Sequence, residues 1–198
     1  ETTFSCPYAN MGIREDDEKM TEVISAVRQA VGPDFTIMVD VQYAFDSVAR
    51  AIKTINTWQE FDLFFVETPL WVDDLDGMAE LVANTPIRIA SGEWLSTHYE
   101  FRDLIRYGNV GVVQPDIGRV GGLSEARKVC NLAKEHNKLV VPHLWKTGIS
   151  VAAAAHPHAR WQDQPRLTPQ AQAGLSPVSI YRAAPVRSDA ATWRFDLG

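Results

Sequence analysis

Five side chains that can bind a metal or move a proton recur through this 198-residue chain at nearly constant intervals. They are Asp40, Glu67, Glu93, Asp116 and His143, separated by 27, 26, 23 and 27 residues. Taken singly, an Asp or Glu at such a place is more often a helix cap or a solvated charge. Three successive carboxylates brought to one place would repel by roughly 4 kcal/mol per pair at ~4 Å and an effective dielectric of about 20, so a fold that gathers them needs a cation. Oxygen-only ligands select a hard ion, and Mg2+ suits best because it accepts a few carboxylates and keeps positions for water or substrate. Asp40, Glu67 and Glu93 are therefore the expected metal ligands. Asp116 and His143 read as a proton-transfer pair. On neighbouring strands a carboxylate can hold one imidazole nitrogen and fix its tautomer, leaving the other to transfer a proton near neutral pH. The competing reading of His143 is a satisfied core histidine; Pro142 before it and Leu144, Trp145 and Lys146 after it mark instead a strand leaving a sheet. His98, His136, His156 and His158 lack that placement, and His136 reads as a surface residue favoured by the dipole at a helix end.

Each of the five residues closes a short apolar run: FTIMVD (35–40), LFFVE (63–67), IRIASGE (87–93), VGVVQPD (110–116) and LVVPH (139–143). Such runs are too short for helices and suit strands buried on both faces. Between them the apolar period is that of a helix. Met20, Val23, Ile24, Val27 and Val31 form a stripe that stops at Gly32-Pro33. Val48, Ala51, Ile52, Ile55 and Trp58 form another, with Asp46 as its expected N-cap. Leu75, Met78, Leu81 and Val82 make a third, and Thr97 with Glu100 offers a capping box ahead of Phe101, Leu104 and Ile105. Ala126, Val129, Cys130 and Ala133 complete the series. Alternation of this kind from about residue 17 to 150 predicts an α/β fold with a parallel sheet. All strands then point one way, so the five residues converge on one mouth, whether the sheet is a barrel or doubly wound. Beyond His156 the order stops: residues 157–198 hold five of the 11 prolines and no lysine, and are expected to be an irregular or disordered tail.

Composition narrows the function. With 45% hydrophobic and 22% charged residues the chain can bury a sizeable core. A net charge of −6 without a basic stripe argues against nucleic acid and anionic membrane as partners and for a small-molecule site. Cys6 and Cys130 form neither a disulfide scaffold nor a cysteine zinc cluster and suit a reducing cytoplasm, where the protein is expected to work. No apolar run approaches the roughly 18 residues of a membrane span, and the acidic start is not a signal peptide. A magnesium phosphotransferase is disfavoured because no Walker-type glycine loop occurs.

The motifs Val39-Asp40, Val66-Glu67-Thr68-Pro69, Ser91-Gly92-Glu93, Gln114-Pro115-Asp116 with Gly121-Gly122, and Val141-Pro142-His143 together resemble the enolase superfamily. The likeness, over about residues 17–156, is to the mandelate racemase and acid-sugar dehydratase branch of the mandelate racemase/muconate lactonizing enzymes. It implies a modified TIM barrel in which three strand-end carboxylates bind Mg2+ and an Asp-His pair on the sixth and seventh strands serves as acid/base. Asp116 stands where lactonizing and epimerizing relatives carry a lysine. The implied reaction removes a proton α to a carboxylate, with Mg2+ stabilising the enediolate. An acid-sugar dehydratase (hydro-lyase) is the leading expectation, His143 protonating the departing β-hydroxyl or acting as base and Asp116 orienting it. A racemase or epimerase of an α-hydroxy acid is the alternative, and a non-catalytic truncated fragment a third. A full barrel takes about 250 residues, so the expected architecture is a partial TIM-type barrel of about five parallel β/α units in residues 1–156, with 157–198 as the tail. The family's lysine pair after the second strand has no match, since the first lysine is Lys19 at the first helix, and residues 1–14 read as the loop after a missing second strand. The capping domain, the first two strands and an eighth-strand acid are likewise unmatched. An open half-barrel exposes strand edges, so self-association as a homo-oligomer is expected unless another chain completes the sheet.

Overall fold

Six parallel strands lie side by side in the order in which the chain makes them. The computed structural model describes residues 2–3, 17–144 and 147–161, with side chains over 17–144 and 147–154. Its strands are β1 (Thr2–Thr3), β2 (Ile37–Asp40), β3 (Leu63–Glu67), β4 (Ile89–Ser91), β5 (Val112–Val113) and β6 (Leu139–Val140). Its helices are α1 (Asp17–Val31), α2 (Val48–Thr57), α3 (Leu75–Asn84), α4 (His98–Asp103), α5 (Leu123–Glu135) and α6 (Gly148–Trp161). The alternation expected from the apolar period is therefore present, and five strands coincide with the five runs. β1 was not expected; it pairs through Thr2↔Val39 and Thr3↔Asp40 at the edge that the sequence reading left without a strand. Parallel order without reversal requires each helix to return the chain to the same starting edge, which is how one edge collects every strand's C-terminal end.

Three strands stop before the C-terminal ends of their apolar runs, so that Glu93, Asp116 and His143 lie in the loops just past β4, β5 and β6. The cause is local. Gly92 takes φ +122°, and Pro115 and Pro142 lack the N–H that a further rung would need. Two other expectations change. The N-cap of α2 is Ser47 rather than Asp46: the Ser47 hydroxyl accepts from the Arg50 N–H at 3.4 Å, while the Asp46 carboxylate lies 3.6 Å from the Arg50 guanidinium. And α6 runs to Trp161, so the first residues of the stretch expected to be irregular are helical, carried there by the strong helix formers Ala152–Ala155. The rest of that stretch, 162–198, lies outside the described residues. The Thr97–Glu100 capping box is present at α4. Among the described residues no helix is long and apolar enough to cross a membrane.

Two apolar layers flank the sheet. The larger holds the helix stripes against the outer strand faces, with Met20, Ile24, Val39, Ile55, Trp58, Val66 and Leu81 among its members. The smaller consists of Phe65, Ala90, Val112 and Val141, with Met38, Phe64 and Leu139 against it. It is the other face, the one that a barrel would enclose.

α1 is tied to α2 by a polar knot at its first residue. The Asp17 carboxylate accepts from Arg50 Nε at 3.1 Å and from the Thr54 hydroxyl at 2.7 Å. Burial alone would raise the Asp17 carboxyl, but the hydrogen bonds from Arg50 and Thr54 and the charges of Arg50 and Lys53 outweigh it and hold it below its ordinary value. A depressed carboxylate stabilises the fold above its unfolded-state value and loses that contribution as pH falls through the folded one. Asp17→Asn should therefore cost about 1 kcal/mol at pH 7, discounted for partial exposure. In urea titrations the gap to the parent should close below about pH 4; a gap independent of pH contradicts the assignment.

Candidate active site

The inner face is built on a period of two, and that period delivers the polar residues. Met38 leads to Asp40 and Phe65 to Glu67, while Val112 leads through Gln114 to Asp116 and Leu139 through Val141 to His143. Side chains two apart on a strand share a face, so each polar group stands directly above the inner apolar layer. Strand register sets their neighbours: Asp40 is opposite Glu67, and Glu67 is opposite Ala90. β4 breaks the alternation. There Gly92 occupies the place two beyond Ala90, and its φ of +122° turns the chain so that Glu93 enters the site instead. A Cβ on Gly92 would lie 2.6 Å from Cε1 of buried Phe101, so the position admits no larger residue.

Each acid is held by donors. Asp40 Oδ1 accepts from the Thr68 hydroxyl at 2.7 Å and from the Gln42 N–H at 2.9 Å. Glu93, 9% exposed, accepts from the Tyr43 hydroxyl through Oε1 at 2.8 Å and meets His143 Nε2 through Oε2 at 2.9 Å. Asp116, 2% exposed, takes the Gly118 N–H on Oδ1 at 2.8 Å and His143 Nδ1 on Oδ2 at 2.9 Å. Glu67 is hydrogen-bonded by the side chain of Gln114. With a carboxylate on each ring nitrogen, His143 satisfies both only by donating from both, that is, as imidazolium.

The electrostatics follow. Burial pushes Glu67 well above the usual carboxylate range; the charge of Asp40 and then that of Glu93 add to the rise, while the Gln114 hydrogen bond and His143 oppose it. Burial would also raise Glu93, but the hydrogen bond and charge of His143, with Tyr43 and Arg119, draw it below its ordinary value. Burial would lower His143, but its hydrogen bonds to Glu93 and Asp116, with the charges of Glu93 and Glu67, carry it above its ordinary value. The site thus holds four acids and one imidazole in mutual contact or electrostatic reach.

All five sequence-predicted residues stand at this end of the sheet. Asp116 and His143 are in contact through Oδ2 and Nδ1. Asp40, Glu67 and Glu93 are electrostatically coupled, but each is turned onto donors of the protein, and no three Asp, Glu, His or Cys side chains among the described residues form a ligand set as they stand. The sequence reading left the second nitrogen of His143 open, whereas Nε2 rests on Glu93. His98 lies apart, paired with Glu125 at 2.5 Å. His136 is the exposed C-cap of α5, as expected. Tyr43, Thr68, Gln114 and Arg119 were missed as contributors. For Gln114 a signal was available, because counting by twos from Val112 reaches it before Asp116; for Tyr43 there was none, since its placement depends on consecutive left-handed residues, Gln42 (φ +43°) and Tyr43 (φ +61°), of types that rarely adopt that region. Trp145 and Lys146 lie outside the described residues.

The model of the enolase C-terminal domain-like family matches residues 9–176. The chain belongs to this family. The family match extends beyond residue 156 into the stretch that sequence patterning set apart. Among curated members, D-galactarolactone cycloisomerase of Agrobacterium fabrum is 36% identical over 143 residues, 72% of this chain and 36% of that protein. L-talarate/galactarate dehydratase of Salmonella typhimurium is 36% identical over 138 residues, 70% of this chain and 34% of that protein. The crystal structure of L-talarate dehydratase from Polaromonas sp. JS666, complexed with Mg and L-glucarate, superposes with a TM-score of 0.65 at 30% identity, covering 71% of this chain and 39% of that one. The chain thus spans about a third of the length of the curated relatives it matches, and the fold is that of a partial enolase-type barrel.

Gly92→Ala should cost about 2–4 kcal/mol, from the left-handed backbone and the overlap with Phe101. Urea denaturation checks this; a loss under about 1 kcal/mol contradicts the role given to Gly92 in aiming Glu93.

Proposed function

We propose that the chain carries the metal-binding and proton-transfer residues of an Mg2+-dependent acid-sugar dehydratase, a cytoplasmic hydro-lyase. One observation carries the reading: the half-buried imidazole of His143 is held on Nδ1 by buried Asp116, beside three further acids at the ends of adjacent strands. Asp40, Glu67 and Glu93 fit a hard divalent cation by their chemistry. Their donors are all oxygen, two of them are in register on neighbouring strands, and the burial and mutual charge that raise Glu67 are the penalties a cation relieves. When bound, Mg2+ would supply Lewis-acid stabilisation to the charge that grows on a substrate carboxylate as the α-proton leaves.

The protein's own part is to place and move a proton. Asp116 accepts from Nδ1, which fixes the ring and leaves Nε2 as the atom that works. Nε2, released from Glu93 as the neutral base, takes the α-proton and then gives it to the β-hydroxyl oxygen as the carbon–oxygen bond breaks, so one ring closes the proton balance and the hydroxyl departs as water. The apolar layer of Phe65, Ala90, Val112 and Val141 under the site keeps bulk water from its floor. The relatives named as dehydratases of talarate/galactarate, rhamnonate and arabinonate support an acid sugar as substrate. Cycloisomerases at similar identity support a second outcome, in which proton removal is followed by rearrangement or reprotonation without loss of water.

The reading is tested by supplying Mg2+ with a panel of aldarates and aldonates and following 2-keto-3-deoxy product as its semicarbazone. Product is expected, and His143→Asn should lower its rate by roughly 10²–10⁴; inversion or ring opening with no 2-keto-3-deoxy acid contradicts dehydration. Independently of substrate, Glu67→Gln and Glu93→Gln should each weaken Mg2+ by tenfold or more in calorimetric titrations. Unchanged affinity in both contradicts the ligand assignment.

A further inference from the structure

Among the described residues, Gln114 is a buried side chain of the inner face with one polar atom left without a partner. It is 2% exposed, on the β5 side of the site, two residues before Asp116. Its main-chain N–H is committed to Ser91 O across to β4 at 3.0 Å, which fixes the backbone from which the side chain extends. Its side-chain amide reaches Glu67; facing a carboxylate, the amide must present Nε2, because two oxygens would repel. That orientation leaves Oε1 buried with no partner, one of two such side-chain atoms among the described residues. A buried carbonyl without a donor costs about 1–3 kcal/mol, and native sites keep one where a ligand or ordered water supplies the missing O–H. An apolar residue of similar volume, methionine, would remove the cost and the donor together.

We propose that Gln114 is a positioning residue of the metal site: Nε2 orients the Glu67 carboxylate, and Oε1 accepts an O–H from a water held there. This rests on the reading of Glu67 as a ligand. The consequence is an unusual separation of stability from binding. Gln114→Met removes the orphaned Oε1 and, with it, the amide donor on Glu67; the two changes oppose each other, so the metal-free protein should unfold within a few degrees of the parent. Mg2+ affinity should fall by roughly 10- to 100-fold, the range for residues that orient a ligand.

The experiment is a calorimetric Mg2+ titration of the full chain, with the parent, Gln114→Met, Gln114→Leu and Glu67→Gln, paired with thermal unfolding in chelator. Weakened Mg2+ binding in Met and Leu variants whose chelated unfolding temperature stays within a few degrees of the parent's supports the proposal. Parent-like affinity in the Gln114 variants with binding lost in Glu67→Gln overturns it while leaving the ligand reading intact. Parent-like affinity in all three overturns both. A crystal structure of the parent adds a direct readout: a water within hydrogen-bond distance of Oε1 is expected, and Oε1 surrounded by carbon alone contradicts it.

Discussion

Crowding buried and half-buried carboxylates side by side at one end of a parallel sheet is the constraint on which the rest of this structure depends. An ionised acid taken out of water costs several kcal/mol unless it is paired and hydrogen-bonded. Here four acids share one rim, and the surrounding chain is organised to supply their partners. Asp40 draws on Thr68 and the Gln42 main chain, Glu93 on Tyr43 and His143, Asp116 on Gly118 and His143, and Glu67 on Gln114. For Glu67 the compensation falls short: burial and the charges of Asp40 and Glu93 outweigh the Gln114 hydrogen bond and the charge of His143. Glu67 is therefore a member of the set that gains from a cation.

Supplying those donors strains the backbone. Gln42, Tyr43, Thr68 and Gly92 take positive φ, all of them in the loops at the C-terminal ends of the strands. Thr68 is β-branched and fully buried at φ +47°, a conformation that costs of order 1–3 kcal/mol. Its surroundings over-determine it: Thr68 N–H donates to Ala90 O at 2.9 Å, Thr68 O accepts from Tyr43 N–H at 2.6 Å, and its hydroxyl holds Asp40. The same turn thus fixes Tyr43, whose ring stacks on Trp71 at 4.7 Å and whose hydroxyl reaches Glu93. Strain, aromatic stacking and acid placement form one mechanical unit spanning β2, β3 and β4.

Strand order and the rim that gathers the acids could be read from the sequence because both depend on period. A polar residue closing an apolar run is the end of a strand wherever the run occurs, and equal spacing makes the strands equivalent. What sequence did not reveal depends on geometry that has no period. Pro115 and Pro142 end the ladders early, and that shortening was hidden inside runs that look continuous. Ser47 displaced Asp46 as a cap because Asp46 had Arg50 within reach. Gln114 was visible in the motif but was not separated from Asp116, though the two stand on the same face. The pairing of His143 Nε2 with Glu93 depends on side-chain approach across three strands, which no linear spacing encodes.

The central claim is that Asp40, Glu67 and Glu93 share one divalent cation, with His143 beside it. Anomalous diffraction from crystals soaked in Mn2+ tests it most directly. A single manganese peak bonded to one oxygen from each of the three carboxylates at about 2.0–2.3 Å is the predicted result. A manganese peak elsewhere on the chain, or none while Glu93 stays paired with His143, would contradict it.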